Sequence, residues 1–89
     1  MKDSSNYVTN LNRILKNIKL DIIVNFIHQE ISWITIVMNK VASALDLQTI
    51  ENYIKNANCI KAKEVEISYL SQSKLYLKII RYPVFKRIY

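Results

Sequence analysis

The chain has 89 residues, with thirteen Lys/Arg against seven Asp/Glu and one His, for a formal net charge of +6. This length makes one small domain spanning 1–89, and a 51% apolar content rich in Ile is enough for a core, which argues against disorder. One cysteine excludes an internal disulfide, and the complete absence of glycine excludes a Gly-rich phosphate loop.

In chain order, Val8, Leu11, Leu15 and Ile18 recur at helical spacing and predict an amphipathic helix over 6–18, with Ser4 or Ser5 as N-cap. Residues 20–38 read as a β-hairpin. Ile22, Val24 and Phe26 alternate with Asp21 and Asn25, and a second β-rich run, Ile31–Met38, follows a polar break at His28–Glu30. Trp33 in that second run is expected in the core, with an interface anchor as the alternative. Leu47, Ile50, Ile54 and Ala57 trace a helix over 44–57, capped by Ser43 or Asp46, supported by a Glu51–Lys55 pair and ended by Asn58. Cys59 beyond it is expected as a small buried hydrophobe. Residues 65–70 alternate weakly, whereas 74–82 form a clear strand that ends before Pro83. The fold class is α+β, with two helices on an antiparallel sheet of three to four strands in the order α-β-β-α-(β)-β. Residues 83–89 form a basic, aromatic tail.

Charge is distributed unevenly. Lys74–Tyr89 holds five cations, four aromatics and no acid, and so carries +5 of the +6. Cations interleaved with aromatics suit contact with phosphate and stacking on bases. On the last strand, Leu75, Leu77 and Ile79 would face a helix layer. Lys74, Tyr76 and Lys78 would line the other face about 7 Å apart. Arg81, Tyr82, Lys86 and Arg87 would extend the same track. The competing reading makes Tyr76 an ordinary half-buried residue and the lysines solubilising charges.

Other chemistry finds little footing. One His in a turn and one Cys make no metal or nucleophile constellation, so the expectation is a non-enzyme without cofactor, metal or small-molecule substrate. The polar N-terminus carries no signal peptide. The apolar stretch Leu20–Met38 is interrupted by Asp21, Asn25, His28, Gln29, Glu30 and Ser32, which is too polar for a membrane span. An intracellular protein without a membrane partner is expected, cytoplasmic or nuclear.

The runs Asn39–Asn58 (NKVASALDLQTIENYIKNAN) and Ser71–Ile80 (SQSKLYLKII), with Pro83 after them, resemble the gag-like nucleic-acid-binding protein of fungal LINE-type non-LTR retrotransposons. The resemblance covers roughly residues 11–84. It implies a truncated, drifted N-terminal fragment that binds RNA or single strands, with Leu77–Pro83 in the place of the first strand of an RRM. Two function classes stand at this point. One is a nucleic-acid-binding fragment using Lys74, Tyr76, Lys78, Arg81, Tyr82, Lys86 and Arg87. The other is a protein-interaction module that assembles a homo-oligomer through strand edges and Trp33, with a vestigial product as a further possibility.

Overall fold

In the computed structural model, residues 2–18 and 20–83 are described, residues 2–5 for their backbone alone. Two helices, α1 (Lys2–Asn17) and α2 (Ala44–Asn56), accompany four strands: β1 (Asp21–Ile27), β2 (Ile31–Val37), β3 (Ala62–Ser71) and β4 (Lys74–Arg81). The strands form one antiparallel sheet in the order β1-β2-β4-β3. The architecture is α+β, as the alternation of apolar residues predicts. The weakest strand signal in the sequence belongs to the longest strand, β3, because charged Lys63, Glu64 and Glu66 suit an edge but dilute the pattern.

The helices cover one face of the sheet. Ile34 and Ile36 of β2 and Leu75, Leu77 and Ile79 of β4 are completely buried beneath them. From α1 come Tyr7, Leu11, Ile14 and Leu15, and from α2 come Ile50 and Ile54. The α1 stripe is therefore centred on Tyr7 and Leu11, with Val8 at its flank. The helix also begins at Lys2, ahead of the Ser4 or Ser5 cap the sequence predicts.

α2 begins as its sequence demands. Ser43 is the N-cap, its Oγ accepts from the Asp46 backbone N–H, and the Asp46 carboxylate accepts from the Ser43 N–H at 2.7 Å. Lys40 reaches the other carboxylate oxygen at 3.1 Å, and the Glu51–Lys55 pair closes at 2.8 Å. The helix ends at Ala57 rather than through a left-handed Asn58, and Cys59 is exposed, not buried. Among the described residues only Lys61 has a positive φ, 56°. Both hairpins, at Gln29-Glu30 and Gln72-Ser73, therefore turn without the left-handed residues that glycine usually supplies. This is how a glycine-free chain closes a four-stranded sheet.

The connection through α2 joins β2 to β3, two parallel strands with β4 inserted antiparallel between them. This is a split β-α-β arrangement. The loop leading to α2 is tied to the β3–β4 turn, since the Met38 N–H donates to the Ser73 carbonyl and the Ala42 N–H to the Gln72 carbonyl, each at 2.8 Å.

Candidate functional site

The sheet face away from the helices is built by strand register alone. On β4 it presents Lys74, Tyr76, Lys78 and Ile80, whose cross-strand partners on β2 are Val37, Thr35, Trp33 and Ile31. On β3 the same rows continue into Ser71, Ser68, Glu66 and Glu64. On β1 they continue into Asp21, Ile23 and Phe26. Paired residues share a face of the sheet, so these side chains form one surface.

An irregularity in β1 shapes one side of that surface. The register shifts between Val24 and Phe26, so two consecutive residues oppose a single partner. Simple alternation would place Phe26 with Ile22 and Val24 against the helices. The bulge turns it to the open face instead, where it is 56% exposed and its ring lies 5.2 Å from that of Trp33. Trp33 itself is half-buried on this face and not in the core. The extra residue, Asn25, accepts a hydrogen bond from the Thr35 hydroxyl at 2.8 Å.

Tyr76 and Lys78 are half-buried and Lys74 is exposed, all three on the open face, with Tyr82 exposed just beyond β4. Arg81 is elsewhere. Its position in the alternation is that of Leu75, Leu77 and Ile79, and its guanidinium carbon lies 4.1 Å from the centre of the Tyr7 ring of α1. Its Nη2 donates to the Gln29 carbonyl at 2.8 Å, with His28 O further off at 3.4 Å, while the Arg81 backbone N–H donates to Glu30 O at 2.7 Å. Arg81 thus clamps the β1–β2 turn beneath α1. Lys86 and Arg87 lie outside the described residues.

Beneath that clamp Tyr7 Oη and Ser32 Oγ face each other without well-formed hydrogen-bond geometry, and the Arg81 Nε is also buried without a partner. Burial pushes the Tyr7 hydroxyl above the ordinary tyrosine range, opposed in smaller measure by Ser32 and by the Arg81 charge.

Among the paired residues, the open face of the four strands bears two cations, Lys74 and Lys78, against three carboxylates, Asp21, Glu64 and Glu66, with exposed Lys63 unpaired at the register shift of β3. The cation excess of the C-terminal sequence is therefore not concentrated there. The aromatics are: Phe26, Trp33 and Tyr76 occupy adjoining strands. Parity on β2 was the available signal for Trp33, but Ile31, Trp33, Thr35 and Val37 compete with Ser32, Ile34, Ile36 and Met38, and both sets are apolar enough to be buried.

On the helix side, a cleft of about 610 Å³ opens between the helices, lined by Ile14, Thr49, Asn52, Tyr53, Asn56, Ala57 and Cys59. No group of three potential metal-ligating side chains occurs among the described residues, and none of their helices is long and apolar enough to cross a membrane. No family model, curated protein or solved structure matches this chain.

Proposed function

We propose that the chain binds single-stranded nucleic acid, RNA in the first instance, on the open face of its sheet. The observation that carries this reading is the adjacency on the two central strands of Trp33 (with Phe26 beside it) and Tyr76, flanked by Lys74 and Lys78. Aromatic faces accept any base, and lysines one row away can reach its phosphates. A single strand would run along β4 and β2, because Glu64 and Glu66 make the β3 side repulsive to phosphate. The binding set is Trp33, Phe26, Tyr76, Lys74 and Lys78, with Tyr82 at the end of the track; Arg81 is left out, committed to its clamp.

Two lines of support are independent of charge. A four-stranded sheet presenting aromatics to stacked bases is the working surface of an RRM. If β4 preceded α1, the order would become β-α-β-β-α-β, so β4 holds the place of a first strand in that scheme. The resemblance of Asn39–Asn58 and Ser71–Ile80 to retrotransposon gag-like proteins argues for the same ligand and for that origin.

Salt-titrated binding to single-stranded RNA, single-stranded DNA and duplex tests the proposal. Replacing Lys74 and Lys78 together with Gln should lower the slope of log K against log salt by about 1.4 on a single strand. Tyr76→Ala or Trp33→Ala should each weaken binding by about 1–3 kcal/mol if a base stacks there. Affinity unchanged in all three variants would refute the assignment.

A second reading rests on the same face. With two cations against three carboxylates and with Ile23 and Phe26 more than half exposed, it is an apolar surface of the kind that a second copy covers. Light scattering separates the two, since a concentration-dependent oligomer indifferent to polyanion supports self-association.

A further inference from the structure

The bulge in β1 sets an aromatic ring, Phe26, beside a carboxamide, Asn25, on the open face. Asn25 is exposed, stands next to Phe26, and reaches over Thr35, the residue that lies between Ile23 and Tyr76 in its row. It therefore stands next to the Phe26–Trp33 pair and is bonded to the residue whose β4 partner is Tyr76. Asn25 keeps the parity of Asp21 and Ile23, and what the bulge adds is Phe26 on the same face beside it.

Its orientation is set as well. The Thr35 hydroxyl is largely buried and donates to Asn25 Oδ1 at 2.8 Å. A carboxamide has one acceptor oxygen and one amino donor. With Oδ1 held by Thr35, Nδ2 becomes the outward group, and it has no hydrogen-bond partner among the described residues. Of the Ser and Thr hydroxyls in these rows, Ser68 and Ser71 lie across the sheet on β3 and Thr35 is engaged with Asn25 itself. Lys74 and Lys78 are charged and long enough to serve phosphates. Asn25 is thus the neutral donor available to a base.

We infer that Asn25, locked by Thr35, is a specificity-determining residue of the open face: its Nδ2–H donates to a ring carbonyl of the stacked base. The acceptor it selects is the keto oxygen at C4 of a pyrimidine or C6 of a purine, so uracil is bound in preference to cytosine, whose one carbonyl is at C2, and hypoxanthine in preference to adenine. An exocyclic amine at the same position would set donor against donor. The inference rests on the nucleic-acid reading above.

The test uses the full chain and labelled homo-oligomers of uridine, cytidine, inosine and adenosine in an anisotropy titration. The unaltered protein should bind oligo(U) roughly three- to tenfold more tightly than oligo(C), the range of one neutral hydrogen bond. Asn25→Ala should abolish the difference, and Thr35→Val, which frees the carboxamide to rotate, should narrow it. Asn25→Asp retains a side chain that accepts from Thr35 but offers no donor; it should reverse the preference while weakening overall affinity, which guards against an effect of a collapsed bulge. Equal affinity for oligo(U) and oligo(C), or a ratio that survives Asn25→Ala, overturns the inference and leaves nucleic-acid binding standing. Absence of binding to every oligomer overturns both.

Discussion

The two faces of β4 differ more than any two segments of the chain. Leu75, Leu77, Ile79 and Arg81 point to the helices, and the three aliphatic residues have no exposed surface at all. Lys74, Tyr76, Lys78 and Ile80 point away, and only Lys74 is fully solvated. One side is committed to the fold, where burial of each aliphatic side chain contributes about 1.5–3 kcal/mol. The other retains apolar and aromatic surface with nothing described to cover it. The lesson concerns Arg81. By charge it belongs with the lysines, but by position in the strand it belongs with the core, and position decides.

Four substitutions follow from this division and from the helix cap, in order of expected effect. Leu77→Ala removes a fully buried side chain and should cost about 2–5 kcal/mol in chemical denaturation, whereas Tyr76→Ala next to it should cost far less stability while reducing ligand affinity. Similar losses for the two would erase the distinction between faces. Arg81→Gln gives up the stack on Tyr7 and the bond to the turn, and should destabilise by about 1–2 kcal/mol with the salt dependence of the proposed nucleic-acid binding unaltered. A changed salt slope with intact stability would move Arg81 to the open face. Ser43→Ala loosens the start of α2 and should cost about 1 kcal/mol, again without touching binding.

The same cap carries a pH dependence. Bonds from the Ser43 backbone and from Lys40 hold the Asp46 carboxyl below its ordinary value of 3.8. Its contribution is therefore present above that value and is lost as pH falls through the lower, folded-state value. Denaturation midpoints followed between pH 5 and pH 2 should show an acid-side decline that Asp46→Asn reduces.

Much of this was legible in the residues. The Ser43-x-x-Asp46 cap followed by the Leu47, Ile50, Ile54 stripe announces α2, and the alternation from Lys74 to Ile80 announces β4 with both faces correctly sorted. Arg81 reads by its charge as part of the basic track, although its parity with Leu75, Leu77 and Ile79 points to the helix side, where it lies against Tyr7. The bulge was not legible: nothing in DIIVNFI marks Asn25 as the extra residue, because the shift is a property of how β1 meets β2. Phe26 was consequently missed as a member of the open face, while Asn25 stood on the side of Asp21 by simple alternation, and Trp33 was misplaced because both faces of β2 are apolar. For Cys59, the residue type favoured burial, while its place in an exposed connection after α2 decided otherwise.

The central position of β4 has a consequence for biosynthesis. Of the described strands it is the last made, yet it is the one that joins the β1–β2 hairpin to β3. While it is still inside the ribosome, β2 exposes an unpaired edge, β3 has no neighbour in the sheet, and the core lacks Leu75, Leu77 and Ile79. Domains in which the earliest segments complete the core can fold as they emerge; this one must wait, with Ile34, Ile36 and Ile54 exposed in the meantime. A nascent chain arrested before Leu75 should therefore be a substrate for chaperones and proteases rather than a smaller version of the folded protein.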